Sequence, residues 1–147
     1  MVLTSVTPGA FYGWPWSYWD RVVDDRVPPN PDAVARAITP DYALGGHTAS
    51  LGLCWMPEGT LPGYGAGMVI GQHGSWNRAK LSGYRVIFVP FQAGRPAGPP
   101  RDLLDRFLSP DESRAWGRPV GVAVGPDRRS LLVADDVGNA VWRVSGA

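Results

Sequence analysis

The stretch Val69-Ile70-Gly71-Gln72-His73-Gly74-Ser75-Trp76-Asn77-Arg78 gathers the chain's most chemically capable side chains into the fewest residues. It leaves an apolar run, Met68 to Ile70, that reads as a buried strand. It then presents Gln, His, Ser, Asn and Arg in close succession, with Gly71 and Gly74 between them. Glycine lets a backbone turn sharply or approach a ligand closely. A rigid strand that delivers polar side chains onto a loop is a common way to build a binding site. The alternative is a polar loop whose side chains bond one another and water.

The elements that would position this stretch follow from the totals. The 147 residues are 44% hydrophobic and 18% charged, enough apolar material for the core of one domain. Net charge is +1, and Lys and Arg are scattered among acids, which argues against a nucleic-acid surface. No apolar run approaches the ~20 residues of a membrane helix. Residues 1–10 show no basic segment followed by an apolar one, so no signal peptide is visible. A single cysteine, Cys54, excludes an internal disulfide and reads as a small core residue. Gly (19) and Pro (15) are abundant, yet the aromatic content argues against disorder. Short strands joined by many turns, an all-β fold, reconcile the two.

Along the chain, Phe11 to Trp19 holds six aromatics in nine positions, either a stacking surface or a wedge between sheets. Arg21 to Gly46 is a Pro-punctuated connection, with one or two helical turns expected over Asp32 to Ile38. Arg21, Asp24, Asp25 and Arg26 read as a solvated face. Strands are expected at Ala49–Trp55, Ala66–Gly71 and Tyr84–Phe91. A Gly/Pro linker, Gly94 to Pro100, follows, and Asp102–Leu108 is either a short helix or a fourth strand. Three further strands follow at Pro119–Val124, Leu131–Asp135 and Ala140–Val144. Asp135 and Asp136 read as solvated turn acids rather than metal ligands.

The segments Ser50-Leu51-Gly52-Leu53-Cys54 and Pro119-Val120-Gly121-Val122-Ala123 correspond, each with an inner glycine and two strands after it. Such recurrence marks a repeat, and four-stranded units of this length are propeller blades. The chain therefore divides into a leader (1–46), one blade (47–108) and an incomplete last blade (117–147). Because a ring needs at least ~4 blades, the expectation is the carboxyl part of a larger propeller. Its exposed blade edges would be prone to self-association.

The strings FYGWPWSY (11–18), PDYALGGH (40–47), IGQHGSWNR (70–78), GYRVIFVPF (83–91), GRPVGVAV (117–124) and LVADDVGN (132–139) resemble the sorbosone dehydrogenase branch of the glucose/sorbosone dehydrogenases. The likeness runs through nearly the whole chain in the same order. It implies about two blades of a six-bladed propeller that uses pyrroloquinoline quinone (PQQ), a planar quinone with three carboxylates, together with Ca²⁺. It implies oxidation of a sugar aldehyde or aldose, an electron acceptor as partner, and a periplasmic or secreted location. Arg118 matches a cofactor-contacting arginine of the related glucose dehydrogenases, and the forked guanidinium suits a carboxylate. His73, Asn77 and Arg78 fall where the preceding blade offers a cationic contact, and His47 where a residue faces the cofactor. The histidine base and the calcium carbonyls of those enzymes match no residue here. No catalytic residue or metal ligand is therefore assigned, and the polypeptide alone is expected to be inactive as a dehydrogenase. A segment that only binds a partner or assembles is the competing reading.

Overall fold

The computed structural model describes residues 1–146 and divides at Gly45 into two units. The first unit holds strands β1 (Val2–Leu3), β2 (Ser17–Tyr18) and β3 (Val22–Val23), helix α1 (Pro31–Arg36) and strand β4 (Tyr42–Ala43). β1 pairs with β4, and β2 with β3. Helix α1 begins where Asn30 caps it, its side chain accepting from the Ala33 N–H at 3.0 Å, with Pro31 in the first turn. It ends at Arg36, two residues short of the expected stop.

One expectation for this unit needs correction. Asp24 is buried rather than solvated: it accepts from Arg26 Nε at 2.7 Å and from Arg26 Nη2. Those bonds hold its carboxyl at about 2. Phe11 and Trp16 are tilted neighbours at 6.2 Å, while Trp14 is 69% exposed.

The second unit is built from two antiparallel sheets. β5 (Ser50–Met56), β6 (Gly67–Gln72) and β7 (Arg85–Gln92) pair in order. A short β8 (Arg95–Pro96) folds back on the end of β7, inside the segment expected to be a plain linker. β9 (Arg101–Leu104) pairs with the outer edge of β7, so the ambiguous 102–108 segment opens as a fourth strand. β10 (Pro119–Val124), β11 (Ser130–Asp135) and β12 (Ala140–Ser145) form the second sheet. The architecture is all-β, a partial propeller of two blades, the second with three strands.

The repeat extends to an irregularity. Ser50 lies opposite Gln72, but Gly52 lies opposite Gly71, a slip of one residue. Pro119 lies opposite Asp135, but Val122 lies opposite Val133, the same slip. Both innermost strands thus carry a bulge at their start. This alignment makes Gln72 equivalent to Asp135, and His73 to Asp136.

The two sheets pack face to face. Met56, Val69, Val86 and Phe88 of the first meet Leu131 and Val133 of the second, with Val122 and Val124 alongside. Truncating fully buried Phe88 to alanine would cost about 3–5 kcal/mol. The approach is closest at Gly52 and Gly71, where an added Cβ would overlap the Val120 carbonyl oxygen. The inner glycine of the first strand is therefore a packing requirement. Cys54 sits half-buried beside this interface. Burial pushes its thiol up, against a smaller pull from the Val124 backbone.

Candidate functional site

Three chain positions converge where the two sheets meet at one end. His73 is the first residue after β6, Asp136 the first after β11, and Arg118 the last before β10. His73 Nε2 lies 3.0 and 3.1 Å from the two Asp136 carboxylate oxygens. His73 Nδ1 lies 3.4 Å from Arg118 Nη1. A guanidinium only donates, so Nδ1 must offer its lone pair, and the proton of the neutral ring sits on Nε2, facing Asp136. The carboxylate thus sets the tautomer that the arginine needs.

Arg118 is half-buried and held from several sides. Its Nη2 donates to Tyr84 Oη at 2.9 Å, and its guanidinium lies 4.7 Å from the Tyr84 ring centroid. Longer contacts, both 3.5 Å, reach the Gly74 and Ser75 carbonyls. Tyr84 is buried and donates its hydroxyl to the Ser75 carbonyl. Its ring lies against Gly74, whose φ of 95° and lack of a side chain both matter, because a Cβ would overlap the ring. Among the described residues no carboxylate forms an ion pair with Arg118. Its single short bond is to a neutral hydroxyl, and three of its four polar contacts are 3.4–3.5 Å long.

The Arg118 backbone is fixed by Asp135. Asp135 Oδ1 accepts from the Arg118 N–H at 2.7 Å and the Gly138 N–H at 2.8 Å, and Oδ2 accepts from Trp142 Nε1 at 3.2 Å. Burial pushes this carboxyl up, but the Arg118, Gly138, Trp142 and Val137 donors together hold it below its ordinary value. Gln72 fills the equivalent place in the first sheet. It is fully buried, accepts from Arg85 Nε at 3.1 Å and donates to Ser50 Oγ at 3.3 Å.

Of the five residues singled out in the sequence, the structure joins two directly, Arg118 and His73. Arg78 is exposed, with Nη1 3.4 Å from the Gly46 carbonyl, which also accepts from Ser82 Oγ at 3.1 Å. His47, the next residue, is exposed with a left-handed φ of 59°. Asn77 is exposed on the His73 loop. Sequence reasoning missed Asp136, Asp135 and Tyr84 as members of this constellation. The reading of a solvated turn acid is wrong for Asp135, which is buried, and incomplete for Asp136, which is exposed but holds His73. The available signal was the repeat itself, which puts Asp136 in the place of His73. Among the described residues no three His, Cys, Asp or Glu side chains converge as a metal site.

A family model described as TrAA12-like matches residues 29–147. The chain belongs to the TrAA12-like family. An uncharacterised protein of Borreliella burgdorferi is 35% identical to this TrAA12-like chain over 105 residues, which are 70% of the chain and 27% of that protein. The pyrroloquinoline quinone-dependent pyranose dehydrogenase of Coprinopsis cinerea is 30% identical over 131 residues, 76% of the chain and 17% of the enzyme. Among solved structures, the holo form of the Coprinopsis cinerea pyranose dehydrogenase PQQ domain superposes with a TM-score of 0.69 at 23% identity, covering 92% of the chain and 40% of the domain. The calcium structure of a Trichoderma reesei AA12 enzyme gives 0.71 at 21% identity, over 92% and 38%. A glucose dehydrogenase gives 0.66 at 20% identity, over 99% and 38%. These structural likenesses establish the fold. The TrAA12-like chain spans at most about two fifths of each of these proteins. The Coprinopsis cinerea relative is described as a PQQ-dependent pyranose dehydrogenase, and none of these relatives is described as acting on sorbosone.

Proposed function

We propose that this chain contributes one wall of a PQQ site in an oxidoreductase acting on aldoses or sugar aldehydes. The observation that carries the reading is Arg118: a half-buried guanidinium with no ion-pair partner among the described residues, one short bond, and three long contacts. A carboxylate could take two parallel bonds from it while displacing only weak ones. The residues therefore fit an anionic planar group. When bound, PQQ supplies the hydride acceptor, and that chemistry belongs to the cofactor. The chain's own residues supply position and charge. Arg118 takes a cofactor carboxylate, Tyr84 backs its guanidinium, and His73, oriented by Asp136, steadies Nη1. Arg78, Asn77 and His47 line the neighbouring loops and meet the cofactor or the sugar. The described residues do not fit a calcium site made of side-chain carboxylates, and no step is assigned to that ion. Sorbosone as the substrate rests on the string resemblance alone.

The test is a PQQ titration of the purified chain, with and without calcium, following quinone absorbance and tryptophan fluorescence. Saturable quenching is expected, with affinity about tenfold lower in Arg118→Lys, because a point charge replaces the fork. No change up to high micromolar PQQ, or equal affinity in the variant, would overturn the reading in favour of a non-catalytic binding segment. Dye reduction by the purified chain with glucose or sorbosone is expected to stay at background, because no catalytic residue is assigned to it.

A further inference from the structure

The two ring nitrogens of His73 keep different company. Nε2 lies 3.0 Å from Asp136 Oδ2, and Nδ1 lies 3.4 Å from Arg118 Nη1. In this arrangement the ring is neutral, because a proton on Nδ1 would set two donors against each other. Asp136 acts in the opposite sense, since a carboxylate beside an imidazole favours its charged form. Among the described residues no third charged group bonds the ring. Tyr84, at the foot of β7, stands behind the arginine and donates its hydroxyl proton to the Ser75 carbonyl. Asp135 turns its oxygens to the Arg118 and Gly138 N–H groups and the Trp142 indole. Arg85 is engaged with Gln72 and Asp102, and Arg78, on the ring's own loop, reaches the Gly46 carbonyl.

A carboxylate arriving at Arg118 reverses the balance at Nδ1. It accepts from Nη1, so the arginine no longer needs the lone pair of the ring, and the contact given up is a long one. Nδ1 then faces an acceptor. A proton placed on it donates to the ligand while Nε2–H donates to Asp136, and every donor is matched. That proton comes from solvent, which reaches the ring because 23% of the side chain is exposed. The new N–H bond is the only covalent change.

We infer that carboxylate binding at Arg118 is coupled to the uptake of one proton on His73 Nδ1, so that the occupied site holds its anion between two cations. The inference rests on the quinone reading and adds its pH dependence. A group that holds its proton more tightly in the complex than in the free chain makes affinity highest at low pH and lowers it as pH rises. For one proton the limit is about tenfold in Kd per pH unit, within the range where histidine changes charge.

PQQ is the probe. The purified chain is titrated by tryptophan quenching from about pH 5.5 to about pH 8.5. Calorimetry near neutrality is run in phosphate and in Tris, whose heats of ionisation differ. His47 and His73 are the chain's two histidines, so proton NMR of the imidazoles separates them. Expected are a Kd that rises at least about fivefold across that range, heats that differ between the buffers in the sense of proton uptake, and a His73 signal that titrates at higher pH with PQQ bound. His73→Gln, whose amide can serve either partner but never titrates, should give a flat pH profile. Asp136→Asn should reduce the uptake. Failure to quench at every pH would overturn the quinone reading and this inference with it. Saturable binding with one Kd at all pH values and no buffer dependence, or a slope retained in His73→Gln, would overturn this inference alone.

Discussion

The Asp136 carboxylate and the His73 imidazole, 3.0 Å apart, come from the same position of two successive repeats. One repeat offers the ring and the next offers the acid that orients it. The pair is more a device for Arg118 than for stability, because Asp136 is half exposed and exposed ion pairs stabilise little. Asp136→Asn should therefore leave the melting temperature within about 2 °C. It should lower PQQ affinity about three- to tenfold, read by tryptophan quenching.

Tyr84 connects the arginine to the loop carbonyls. Tyr84→Phe keeps the ring under the guanidinium but removes the acceptor of its one short bond. Loss of that bond should cost about 1–2 kcal/mol of stability in urea unfolding. It should also weaken PQQ binding, while Tyr84→Leu, which removes the ring too, should weaken it further.

Asp135 makes the fold acid-sensitive. Its folded carboxyl lies below the ordinary value of 3.8. The stability it contributes is therefore complete above about pH 4 and is lost as pH falls through the folded value. Asp127 and Asp111, both held at about 2, also lose their contribution in acid, but they are exposed and contribute less. Asp135→Asn should cost about 2–3 kcal/mol at pH 7, because an amide, with one acceptor oxygen, cannot satisfy the Arg118, Gly138 and Trp142 donors together. It should also flatten the stability profile below about pH 4, measured by denaturant unfolding across pH.

Gly52 separates packing from chain flexibility. Gly52→Ala should destabilise the two-sheet unit by about 1–3 kcal/mol or prevent its folding, because the new Cβ overlaps the Val120 carbonyl. Gly65→Ala, with open space around it, should stay within about 0.5 kcal/mol of the parent. Parallel urea titrations of the two variants check the contrast.

The strands of both sheets were legible because β-branched and apolar runs bounded by Gly and Pro have few alternatives. The repeat was legible because Gly52 and Gly121 recur in matching strings. What covers a strand was not. Nothing local distinguishes Asp135, buried beneath three donors, from Asp127 on an exposed turn. Likewise, a tyrosine at the start of a strand does not announce that it will lie under an arginine 34 residues away. The short β8 hairpin hid in a Gly/Pro segment, where pairing depends on β7 and not on its own composition. The site was half visible for the same reason: Arg118 and His73 are conspicuous types, while the groups that fix them are ordinary residues made special by tertiary contact.

Cys54 has a consequence of its own. Its thiol is half covered where one blade leans on the next, and its ionisation is suppressed there. Alkylating reagents attack the thiolate, so they should modify it quickly only when the blades part. The rate of modification is then a clock for blade breathing, already installed at the seam and in need of no added label.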